Sequence, residues 1–160
     1  LVIVYSVSTV GSIGGGWISS TLLKAGKNPN VSRKTAMLIC TLCVLPVFAA
    51  PYIHHLWVVV ALVGLAAAAH QGWSANLFTL PSDMFPKAAV GSVIGIGGMS
   101  GAVGGVLLQL ATGYVVKFTN SYVPLFIVAC VAYPLALVII HAITPRLAPA
   151  RVLPPKAETA

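Results

Sequence analysis

Apolar residues run through this chain in blocks about as long as a bilayer is thick, parted by short polar connections. About 20 consecutive apolar residues cross a hydrocarbon core, which predicts spans near Leu1–Leu23, Thr35–Ile53, Leu56–Leu80, Ala89–Val116 and Tyr122–Ile143. The expected fold is all-α and integral to the membrane, because in lipid only helices and closed barrels satisfy every backbone group. Residues 1–143 form the helical bundle in this reading. Residues 144–160, rich in proline and without a periodic apolar face, are expected to be a disordered cytoplasmic tail.

The spans are not alike. The second and fifth contain no glycine and are bulky all round, which suits helices with much lipid contact. The first carries Gly11, Gly14, Gly15 and Gly16, and the fourth has four-residue steps at Gly91/Gly95 and Gly97/Gly101/Gly105, with Gly98 beside them. Small residues at that spacing let helix backbones approach closely. Gly14, Gly15, Gly95, Gly98, Gly101 and Gly105 are therefore candidates for tight packing or for an interface that moves.

The third span breaks its apolar pattern at "HQGWSAN", placing His70, Gln71, Trp73, Ser74 and Asn76 within two helical turns. At 100° per residue His70, Trp73, Ser74 and Leu77 share one stripe, Gln71, Ser74 and Phe78 the next, and Asn76 lies further round. Polar side chains at that depth are costly unless they face water, a ligand or another helix. Two readings follow: hydrogen bonding between helices, or a polar solute cavity in which amide, hydroxyl and indole groups contact the solute.

Charge changes the picture next. Only 7% of residues are charged and the formal net charge is +7, with Asp83 and Glu158 the two acidic residues. A basic chain could suit nucleic acid, but the cations fall between the apolar blocks, so they read as topology signals and no nucleic-acid partner is expected. Of the nine Lys and Arg, only Lys117 falls on one side; the others, among them Arg33, Lys34 and Lys87, fall in the first and third connections and the tail. The positive-inside rule sets those segments, and the carboxyl terminus, in the cytoplasm. Asp83 is a candidate to pair with Lys87, Arg33 or Lys34. The three cysteines lie within apolar runs and suggest small hydrophobes, not a metal site or disulfide. His54 and His55 are about 22 Å of helix from His70, so no nucleophile–base or ligand cluster forms; neither an enzyme nor a cofactor is expected.

The strings "GSIGGGWISSTLLKAGKNPNVSRKTAML" and "HQGWSANLFTLPSDMFPKAAVGSVIGIGGM" resemble the carboxyl-terminal half of major facilitator superfamily transporters, within the anion:cation symporter branch and near the bacterial hexuronate transporters. The resemblance implies that the five spans are helices eight to twelve of a twelve-helix fold, two halves of which enclose a central site. It further implies a bacterial inner-membrane protein that takes up a small organic anion such as a hexuronate with protons, and a chain cut at its front whose missing amino-terminal half carries the proton-linked acids. Polar contacts to solute are carried over to Gln71, Trp73, Ser74 and Asn76. The sequence departs from the superfamily's cytoplasmic loop pattern, offering Ser19 and Ser20 where an acidic residue is expected. Transport of another organic anion, such as an aldonate or a dicarboxylate, and a non-transporting membrane scaffold or receptor are the alternatives.

Overall fold

A computed structural model describes residues 2–147; the expected tail from residue 148 onward lies outside the described residues. The helices are α1 (Val2–Lys24), α2 (Pro29–Val44), α3 (Leu56–Met84), α4 (Lys87–Thr119) and α5 (Val123–Ile143), with a 3-10 segment, Leu45–Tyr52, prolonging α2. The expected second span thus starts earlier and ends differently. Asn28 in an extended conformation followed by Pro29 opens α2, as fits a residue whose fixed φ is already helical and whose missing N–H costs nothing there. Pro46 and Pro51 then break the α-helical ladder, each lacking an N–H and crowding the carbonyl four residues back, and the chain tightens into the 3-10 form.

The connections are short because their residues stop helices cleanly. Gly26, at φ +79°, closes α1: its N–H bonds to the Leu23 carbonyl at 3.0 Å and that of Lys27 to Leu22 at 3.1 Å, a pairing that consumes orphan carbonyls and needs a residue without Cβ in the left-handed region. Asn120, at φ 50°, ends α4 in the same region, which asparagine tolerates better than other side chains. Successive helices therefore run antiparallel.

Four segments are long and apolar enough to cross a membrane: Pro29–Tyr52, α3, α4 and α5. α1, at 23 residues, is the fifth helix, its apolar character diluted by glycine and serine. This is an all-α membrane protein.

α3 is the centre of the bundle. The core gathers Met37, Cys40 and Val44 of α2, Val47 and Ala50 of the 3-10 segment, and Ala69, Trp73 and Leu80 of α3, with Phe126, Tyr133 and Leu137 of α5 packed against it. The glycine-free α2 is consequently half core and half surface: Met37 is fully buried, whereas Leu38, Ile39 and Leu42 are exposed. Bulky residues have apolar area to bury, and one face of α2 buries it.

The closest helix crossing is between α1 and α3. A Cβ added to Gly11 would overlap the Ala68 backbone, and one added to Gly15 would overlap Gly72. Two small-residue pairs, each four apart, thus meet face to face. Gly14, one residue round the helix, has open space at its Cβ position, as do Gly95, Gly98, Gly101 and Gly105. Among the described residues α4 buries none and touches only α3 and α5. Among the described residues, no helix lies against its glycine stripe.

Candidate functional site

The polar run of α3 divides three ways. Asn76, 1% exposed, turns toward α1, and its Nδ2 donates to the carbonyl oxygens of Gly15 at 3.0 Å and Gly72 at 2.9 Å. The glycine crossing makes this bond possible, since only two backbones without side chains come close enough for one amide to reach both carbonyls. Asn76 is thereby a bridge between helices, away from any solute-sized space.

His70, Trp73 and Ser74 turn the other way, toward α4 and α5. His70 Nδ1 lies 2.7 Å from the Tyr133 hydroxyl, and the rings of His70 and Trp73 meet the Tyr133 ring edge-on at centroid distances of 6.1 and 5.7 Å. The tautomer of His70 sets the direction of this bond: if the hydroxyl donates to Nδ1, Nε2 carries the ring proton. Trp73 Nε1 is buried with no partner among the described residues. These residues form the inner end of a cleft of about 640 Å³ between α3, α4 and α5, whose walls from Leu77 to Phe85 on α3, and at Val93, Ile94 and Ile140, are otherwise apolar. Gly101 borders it too. Gln71 lies outside the cleft and is exposed.

Tyr133 was not singled out by the sequence. Its signal is faint: a single hydroxyl in the most apolar helix, "VACVAYPLAL", directly before Pro134. Gly72 was missed as the partner of Gly15, and Ala68 as that of Gly11, because neither helix alone shows which of its small residues meet.

A second polar cluster sits at the end of the bundle where α1, α3 and α5 finish and α2 and α4 begin. Arg33 Nε donates to Asp83 Oδ2 at 3.0 Å, and its Nη1 to the hydroxyl of fully buried Ser19 at 3.0 Å; Ser19 in turn donates to the Gly16 carbonyl at 3.0 Å. Arg33 therefore ties α1, α2 and α3 together, and a serine accepts from it where the superfamily pattern has an acid nearby. Lys34 Nζ donates to the carbonyls of Thr144 and Pro145, satisfying orphan groups at the carboxyl end of α5, where a cation also suits the helix dipole. Of the three cations considered for Asp83, Arg33 is the partner; Lys87 is exposed in the first turn of α4. Among the described residues, no group of His, Cys, Asp and Glu is arranged to hold a metal.

Comparison with known proteins shows what the chain is similar to. The chain is 27% identical over 113 residues to the probable galactarate/D-glucarate transporter of Escherichia coli (strain K12), an alignment covering 71% of this chain and 25% of that protein. The chain is similar to sugar-acid transporters. Its counterpart of the same name in Pseudomonas putida is 27% identical over 135 residues, covering 78% of this chain and 28% of the relative. A D-galactonate transporter of Escherichia coli O6:H1 is 25% identical over 108 residues, covering 68% and 25%. The resemblance to major facilitator transporters of sugar acids is borne out at this level. No protein-family model matches. The chain spans about a quarter of the length of these relatives.

Proposed function

We propose that this chain is the carboxyl-terminal part of a secondary transporter that takes up a sugar acid by alternating access. The observation that carries the proposal is the similarity to sugar-acid transporters over about 70% of the chain; the geometry of α3 supports it. His70 and Gln71 are exposed neighbours in the middle of a membrane helix, where uncompensated polar groups would be costly. In this reading Gln71 and the Nε2 proton of His70 contact the hydroxyl and carboxylate groups of the solute. Ser74 and Trp73 line the adjoining wall, and Asn76 contributes by holding α3 against α1.

The remaining parts of the reading follow from the resemblance. The amino-terminal half supplies the proton-linked acids and the opposite wall of the site, and protons drive uptake. The protein lies in the bacterial inner membrane with the Arg33–Asp83 end and the carboxyl terminus in the cytoplasm. The small-residue face of α4, with Gly95, Gly98, Gly101 and Gly105, and Gly14 of α1 meet the other half as the two rock.

The acid is a hexuronate or a closely related six-carbon acid. The names of the relatives favour an aldarate or an aldonate over a hexuronate. Competition separates these: in cells producing the complete reading frame, unlabelled D-glucarate, D-galactonate or D-glucuronate is added against labelled D-glucarate. Strong inhibition by glucarate and galactonate with weak inhibition by glucuronate is expected for the aldarate or aldonate reading, and the reverse order for the hexuronate. Absence of saturable uptake of any of the three removes the sugar-acid proposal.

A further inference from the structure

The cleft between α3, α4 and α5 has a chemistry that a sugar acid does not match. Beyond its inner end at His70 and Ser74, the walls are aliphatic and aromatic, and the open groove runs along α3 to Phe85, about 22 Å of helix from His70. A polyhydroxylated anion would lose its hydration there without gaining partners. An alkyl chain loses nothing.

Basic residues follow closely in sequence on those that border the outer mouth. Phe85 and Thr144 border the cleft; two residues beyond each, Lys87 and Arg146 are exposed. Lys34 adds its charge beside Thr144 and Pro145. Asp83 is the one carboxylate side chain among the described residues, and Arg33 holds it. Among the described residues the cations at this mouth have no anionic side chain to neutralise them, and an apolar groove ending in basic residues between membrane helices matches an anionic lipid in both its parts.

We propose that the apolar part of this cleft, from Leu77 outward, seats an acyl chain of an anionic glycerophospholipid, with the lipid phosphate between Lys87 and Arg146 and the inner end at His70 and Ser74 left to the solute. The lipid fills the space that α4 leaves against α3 and α5 and so fixes the position of α4. The inference requires the membrane-spanning fold alone and stands apart from the choice of solute.

Trp73 borders the cleft and reports on its occupant. Trp17 and Trp57 are 68% and 66% exposed, so Trp17→Phe and Trp57→Phe leave Trp73 as the sole tryptophan of the chain at little structural cost. The chain is reconstituted into phosphatidylcholine vesicles containing a small fraction of phosphatidylglycerol or phosphatidylcholine with brominated acyl chains, and tryptophan quenching is measured. Brominated phosphatidylglycerol is expected to quench at a concentration lower by roughly thirtyfold, the preference that two cations at a membrane surface supply. Lys87→Gln with Arg146→Gln should abolish that preference. Gly97→Leu, at a cleft-lining position with open space at its Cβ, should lower quenching by both lipids.

Equal quenching by the two lipids, or a preference that survives the double substitution, overturns the proposal. So does quenching that appears only after truncation at Leu147, which would make the chain's own last residues the occupant.

Discussion

Gly15→Leu is expected to destroy the α1–α3 pair, whereas Gly14→Leu, one residue away, should leave stability unchanged to within about 0.5 kcal/mol. The difference comes from what each Cβ meets. At Gly15 it meets the backbone of Gly72, which has no side chain to move aside, and at Gly14 nothing stands within 4 Å. Forcing one extra group into a packed interior costs roughly 1–3 kcal/mol when neighbours can adjust. Here the obstacle is main chain, and separation of the helices also breaks the bond from Asn76 to the Gly15 carbonyl, so a loss of at least about 3 kcal/mol is expected. Thermal unfolding of the purified chain in detergent checks both substitutions. Equal melting temperatures for the two variants would contradict the crossing described above.

The second large effect belongs to Arg33 and Asp83. Their side chains are 14% and 22% exposed, between a surface pair, worth at most about 1 kcal/mol, and a buried one, whose breakage costs about 3–5 kcal/mol. Asp83→Ala should therefore cost about 2 kcal/mol, mostly because it strands the guanidinium, leaving Ser19 as its hydrogen-bond partner. The same logic predicts strong non-additivity. Arg33→Met combined with Asp83→Leu removes both charges and should be less damaging than Asp83→Ala alone. If unfolding instead shows the two losses simply adding, the ion pair contributes little and Arg33 acts through Ser19.

Element order was legible in the sequence because membrane helices announce themselves by length and hydropathy, and the polar connections fall between them. The ends were less so: Asn28-Pro29 moved the start of α2 outward, and Pro46 and Pro51 turned its last residues into a 3-10 segment. Within helices the limit is different. A stripe of small residues shows that a close approach is possible, not where it occurs, and the richest stripe, on α4, lies against no described helix while the sparser Gly11/Gly15 pair is at the tightest contact. The polar run of α3 was legible as unusual. Its division could not be read from one helix, because Asn76 depends on a carbonyl 61 residues earlier and His70 on a hydroxyl 63 residues later. Asp83 had three candidate cations within reach of the same membrane face, and only the packing of α2 against α3 singles out Arg33.

In the proposed sugar-acid carrier the exposed polar edge of α3 faces the solute site. Gln71→Cys, made after Cys40, Cys43 and Cys130 are replaced, puts a thiol on that edge, and its rate of alkylation by a water-soluble maleimide can be followed in membrane vesicles. D-glucarate or D-galactonate should slow the reaction at concentrations that also inhibit uptake, while mannitol, of similar size and uncharged, should not. A labelling rate indifferent to every sugar acid, in vesicles that still take up glucarate, would contradict the account and move the solute away from α3.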